Sequence, residues 1–162
     1  MVEFGWRKDP YDKRDLLHEL VPVVPDETDL APLLTKVRHQ GSNLSCVGFG
    51  IGINLNSIAK RQGAYEDWHS PWWIYNGARF IEGTLAQNVA AFPRDALQWI
   101  LENGCLLEQY WPYDPIRLDM TAPSSTSMAK ANHYKDIIKT SLTFASQIPS
   151  RVSATQSPPS IL

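Results

Sequence analysis

The spacing of apolar and polar positions changes along the chain, and each change predicts a different element. From 46 to 62, "CVGFGIGINLNSIAKRQ", Val47, Phe49, Ile51, Ile53 and Leu55 alternate strictly with small or polar residues, which is the period of a strand. Gly48, Gly50 and Gly52 would each cost a helix about 1 kcal/mol relative to alanine, but glycine weakens a strand as well. Lys60 and Arg61 followed by Gly63 read like the end of a helix with a left-handed cap. The residues alone leave strand and helix open for this segment.

The next elements read more simply. Ser70-Pro71 predicts an N-cap with proline at the first helical position, and Ile74, Ala78 and Ile81 then fall on one face before Gly83 stops the run. Pro93 starts a second helix whose expected buried stripe is Ala96, Leu97, Ile100 and Leu101, with Gly104 as cap. "YWPYDP" reads as a turn dense in proline and aromatics, 116–127 as a polar loop, and "MAKANHYKDIIKT" as the start of a strand or short helix. Residues 1–36, broken by Pro10, Pro22, Pro25 and Pro32, are expected to form an extended strap with little regular structure. The last seventeen residues are rich in serine and proline, with Arg151 as their single charge, and are expected to be disordered.

Composition narrows the classes. Of the 162 residues 43% are hydrophobic and 20% charged, an ordinary globular balance for one domain with a core. Fifteen basic residues stand against seventeen acidic, with no basic run, so a nucleic-acid partner is not expected. The amino terminus is charged where a signal peptide would be apolar, and no run of about 18 apolar residues offers a membrane span. A soluble protein is expected, of unknown compartment; two cysteines make no disulfide framework and are compatible with reducing surroundings. No cluster of His, Cys and acids has metal-ligand spacing, so neither metal nor cofactor is implied.

The chemistry concentrates at "VRHQGSNLSCVGFG", residues 37–50. A cysteine at a helix N-terminus gains thiolate character, and a glutamine held upstream by a tight Gly41-Ser42 turn brings an amide donor beside the Cys46 backbone N–H. Such a pair stabilises the oxyanion of acyl transfer. The plainer reading is a buried structural thiol, and Cys105, just after Gly104, invites only that one. The Asn43-Leu44-Ser45 sequon reads as a chance triplet, Ser57-x-x-Lys60 as an exposed turn late in the same segment without the companion motifs of serine acyl enzymes, and Trp72-Trp73 as core. Gly48-x-Gly50-x-Gly52 follows no strand of a βαβ unit and is no dinucleotide fingerprint.

The segment 37–50 resembles the active-site segment of papain-like cysteine peptidases, in which Q-G-S-x-x-S-C opens a long central helix. "SPWWIYNGAR" resembles that family's next helix, "DALQWILENG" with "YWPYDP" the one after and its P-Y turn, and "FGWRKDPYDKRD" the start of bacterial and phage-type members. The resemblance covers about residues 4 to 140. It implies an α+β fold of which the part present is mainly the helical left domain, with the helix starting at Cys46. The β-rich C-terminal half would be largely missing. Along the chain it implies a strap at 1–36, the helical unit at 37–115, a loop and entry into the truncated second half at 116–140, and a tail at 141–162. Carried over by position, Cys46 is the nucleophile and Gln40 the side-chain donor of the oxyanion hole.

The departures from that pattern are specific. The family's histidine and asparagine lie about 130–150 residues beyond the cysteine, past Leu162, so the general base is unknown. His133, in "KANHYKDI", is a weak candidate for it. His39 adjoins Gln40, while His18 and His69 read as solvated. Asn43 stands where many relatives carry a half-cystine, and Val47 where they carry tryptophan. Ala90 and Ala91 replace glycines that pair with an extended substrate. The tail has the composition of a shifted reading frame or premature stop. The expected function is therefore a cysteine-type peptidase acting on peptide or protein substrates through a thioester, with activity in doubt. The alternative is a non-catalytic pseudo-peptidase fragment or helical binding and assembly module, which would self-associate or recruit a partner chain at the face left by the missing half. A third reading, another cysteine fold using His133 for acyl transfer, conflicts with the order of the motifs.

Overall fold

The computed structural model describes residues 5–13, 29, 31–34, 37–61, 63 and 68–132. Among the described residues four helices carry the fold: α1 (Cys46–Arg61), α2 (Pro71–Ile81), α3 (Pro93–Asn103) and α4 (Ser125–Asn132), with short 3-10 turns at Ala31–Leu33 and Glu108–Tyr110. Among the described residues β-pairing is limited to two isolated bridges, Trp6 with Ala91 in parallel and His69 with Leu107 antiparallel. The chain is thus mainly helical. α4 begins inside what reads as a polar loop in the sequence, and His18, His133 and the tail lie outside the described residues.

Segment 46–61 is a helix, and its alternation becomes rows once wound at 100° per residue. Gly48 and Gly52 lie four apart on one face, flanked by the rows Val47-Ile51-Leu55 and Phe49-Ile53. The glycine row lets the backbone of α1 approach the start of α2: a Cβ on Gly48 would sit 2.5 Å from the Pro71 carbonyl oxygen. Gly50, by contrast, faces open space. The opposite face, with Gly50, Asn54 and Arg61, is exposed.

α2 begins as its sequence predicts, with the Ser70 side chain accepting from Trp73 N–H and Pro71 in the first turn. It packs between α1 and α3, and every residue from Pro71 to Arg79 is buried. Trp72 and Trp73 are core, but Ile81 at the end of the expected stripe is exposed. In α3 the stripe is corrected too: Ala96 and Ile100 are buried, whereas Leu97 and Leu101 are 41% and 40% exposed. Trp99 takes their place, because Gly77 of α2 leaves a seat for its ring, where a Cβ would come within 2.2 Å of the indole.

His69 is not solvated. It is buried, and its Nδ1 hydrogen-bonds Asn56 Oδ1 of α1. Burial pushes its pKa down from 6.5 to about 4. The unfolded chain therefore binds this proton more readily between those values, and stability must fall as pH drops through the window. The shift corresponds to roughly 3 kcal/mol of native stability, complete above the unfolded value and gone below the folded one. Urea unfolding at pH 7 and pH 4.5 checks this: His69→Gln should lose less stability between the two than the native chain, and equal losses would refute the assignment.

Candidate active site

Cys46 is the first residue of α1 and half-buried, with the preceding turn of 40–45 wrapped against the helix start. Within that turn Gln40 Nε2 donates to the Asn43 carbonyl at 2.7 Å. An amide nitrogen carries two hydrogens, so this bond fixes the group and leaves the second N–H to donate elsewhere. Gly41 has φ +69°, and a Cβ there would meet the Pro115 carbonyl oxygen at 1.9 Å. Only glycine suits both constraints.

The turn is tied down on two sides. On one, Asn88 Oδ1 accepts from Leu44 N–H at 2.9 Å, while the Tyr75 hydroxyl holds the same loop by donating to the Val89 carbonyl at 2.7 Å. On the other, the Tyr113 hydroxyl donates to the Gln40 carbonyl at 2.7 Å, accepts from Asn43 Nδ2 at 3.2 Å and lies 2.7 Å from Ser45 Oγ. Asn43 Nδ2 also reaches the Asp114 carbonyl at 3.3 Å. Asn43 is 3% exposed with its amide engaged in this way, so the sequon is closed to a glycan in the fold.

Electrostatics at the thiol run against the sequence expectation of an acidic cysteine. Burial pushes Cys46 above the ordinary thiol value, although the backbone N–H groups of Val47, Cys46 and Gly5 oppose the shift. Gly5 comes from the amino-terminal strap and lies so close that a Cβ there would stand 2.3 Å from the Leu44 carbonyl oxygen. The strap continues along Ala91, where Arg7 N–H donates to the Ala91 carbonyl at 3.1 Å, and Arg7 pairs with Glu82. One edge of Ala91 is therefore already paired. Cys105 is fully buried and its thiol is pushed far up by desolvation.

The described histidines, His39 and His69, make their hydrogen bonds elsewhere than at Cys46. His39 Nδ1 accepts from Gly41 N–H at 3.0 Å. His69 is bound to Asn56, ten residues along α1 from Cys46 and so about 15 Å up the helix. His133, the weak candidate, lies outside the described residues. Ser57 and Lys60 lie late in α1, with the Ser57 hydroxyl bonded to the Ile53 carbonyl and Lys60 exposed in the last turn. Among the described residues no group of three or more His, Cys, Asp or Glu has the arrangement to hold a metal ion, and no helix is long and apolar enough to cross a membrane. Asn88 and Tyr113 were not legible as part of this site: the "YWPYDP" segment announces a turn but not the segment it grips.

The helical arrangement has a counterpart among solved structures. That structure is xylellain, a cysteine protease from Xylella fastidiosa, similar with a TM-score of 0.72 over 82% of this chain, at 24% sequence identity. The likeness establishes the fold. This chain spans 55% of the length of that one. No family model matches the sequence, and no curated protein matches it.

Proposed function

We propose that the chain carries the nucleophile side of a papain-like cysteine-peptidase site, with Cys46 as nucleophile and Gln40 and the Cys46 N–H as oxyanion donors. The observation that carries this reading is the Gln40 amide, anchored by the Asn43 carbonyl with one N–H to spare, in the turn that leads directly into a sixteen-residue helix opened by Cys46. In the reaction the Cys46 sulfur bonds to the peptide carbonyl carbon, and the π electrons move onto oxygen between the two donors. Collapse breaks the C–N bond, and the thiol proton leaves with the amine. That last transfer needs an imidazole within hydrogen-bond reach, supplied from outside the described residues. Likeness to a cysteine protease supports the peptidase reading, as does the order of four sequence motifs.

A peptide p-nitrophenyl ester separates acylation from the missing proton transfer, since its leaving group departs as an anion. Mass spectrometry should find one acyl group, on Cys46 and not on Cys105. Because burial raises the Cys46 thiol, the acylation rate should keep climbing with pH beyond the free-thiol value of about 8.5. A plateau below pH 7.5 would contradict the assigned environment. Alkylation of Cys46 by iodoacetamide without any acylation by the ester would overturn the peptidase reading and favour a non-catalytic binding or assembly module.

A further inference from the structure

We infer that Tyr113 is a positioning residue of the oxyanion site: its hydroxyl sets where the Gln40 amide points relative to Cys46. The inference rests on the reading of Gln40 and Cys46 given above. A phenol has one hydrogen to donate, and Tyr113 gives it to the Gln40 backbone carbonyl at 2.7 Å. Its lone pairs face the two side chains that bracket the turn, Asn43 Nδ2 at 3.2 Å and Ser45 Oγ at 2.7 Å. One oxygen atom thus touches the donor residue itself, the residue whose carbonyl anchors that donor, and the residue immediately before the nucleophile.

A hydroxyl can fix a turn only if its ring is fixed first. The Tyr113 ring stacks on Trp72 with centroids 4.4 Å apart and meets Phe49 edge-on at 4.7 Å. Trp72 is buried in α2 and Phe49 in α1, so the ring is held by the two helices that frame the site. Its backbone is held as well: Tyr113 N–H donates to Glu108 Oε1 at 3.2 Å, and the same carboxylate oxygen pairs with Arg38, two residues before Gln40. The hydroxyl's partners are Gln40, Asn43 and Ser45, not Cys46. The role assigned is therefore geometric, acting through Gln40.

Tyr113→Phe removes the hydroxyl and keeps the ring. Two reagents separate its consequences. Iodoacetamide alkylation displaces iodide at carbon and develops no oxyanion, so its rate reports the thiol alone. A peptide aldehyde forms a hemithioacetal: the S–C bond forms, the carbonyl π bond opens onto oxygen, and the thiol proton passes to that oxygen. Its affinity, read by titration followed through tryptophan fluorescence, senses the hole. Tyr113→Phe should weaken aldehyde binding about tenfold while leaving the alkylation rate within about twofold, with cooperative thermal unfolding retained. Combined with Gln40→Ala, it should add nothing beyond Gln40→Ala alone, because both act through one amide. Asn43→Ala, which keeps the anchoring backbone carbonyl but frees the Tyr113 hydroxyl on one side, should shift aldehyde binding in the same direction by less.

Unchanged aldehyde binding in Tyr113→Phe, an equal loss in both reactions, or full additivity with Gln40→Ala would each overturn the role. Should Tyr113→Phe fail to fold, Asn43→Ala decides by the same split. If the native chain forms no hemithioacetal at all, the peptidase reading falls and this role with it; if the native chain forms the adduct and Tyr113→Phe binds the aldehyde just as tightly, this role alone falls.

Discussion

Arg79→Met should destabilise the chain by about 3–5 kcal/mol, the largest stability loss expected from any single substitution considered for it. Arg79 is fully buried in α2, and its guanidinium donates to four acceptors: the carbonyls of Leu85 at 3.0 Å, Gln87 at 2.7 Å and Asp119 at 2.7 Å, and the Asn76 side chain. It also stacks over the Tyr75 ring, with its central carbon 4.2 Å from the centroid. Methionine fills most of the stem's volume but satisfies none of those oxygens, each of which is costly to leave unpaired in the interior. The loop 84–91 bears the Asn88 and Val89 contacts to the site, so the loss should spread there. Urea unfolding measures the first effect, and a loss below 1 kcal/mol would show that the loop finds other donors.

Gln40→Ala should slow acylation of Cys46 by an activated peptide ester about 100-fold, within the range found when one oxyanion donor is removed. The side chain's other contact, to the Asn43 carbonyl, lies in a turn held independently by Tyr113, Asn88 and the Gly41 approach to Pro115, so the fold should survive. The alkylation rate of Cys46 should stay close to native, since that reaction builds no charge on oxygen. A rate loss under threefold would remove Gln40 from the proposed hole and leave the backbone N–H of Cys46 as its sole donor.

What the sequence made legible follows from how local each determinant is. The start and stop of α2 are written in Ser70-Pro71 and Gly83, residues that act on their own backbone, and the helix begins at the pair and ends just before the glycine. α1 resisted because its glycines serve a neighbour: Gly48 exists for the carbonyl of Pro71, which no periodicity in 46–61 can reveal. Trp99 replaced Leu97 and Leu101 in the core for the same reason, its seat being cut by Gly77 on another helix. His69 looked solvated because Asn56, its partner, lies thirteen residues earlier on a different element. Gln40 and Cys46 came forward through a short motif and a family resemblance. Tyr113 did not, since its reach depends on three dimensions.

The turn before Cys46 is secured by groups far away along the chain: Leu44 by a residue 44 positions later, Ser45 by one 68 later, Arg38 and Asn43 by ones 70 later, and Gln40 by one 73 later. Closing such long loops is slow compared with winding a helix. During synthesis α1 and α2 can therefore form while the turn in front of the thiol is still loose, and its shape is completed only after "YWPYDP" has left the ribosome. The turn ahead of Cys46 is thus expected to take its final shape after the two helices it borders.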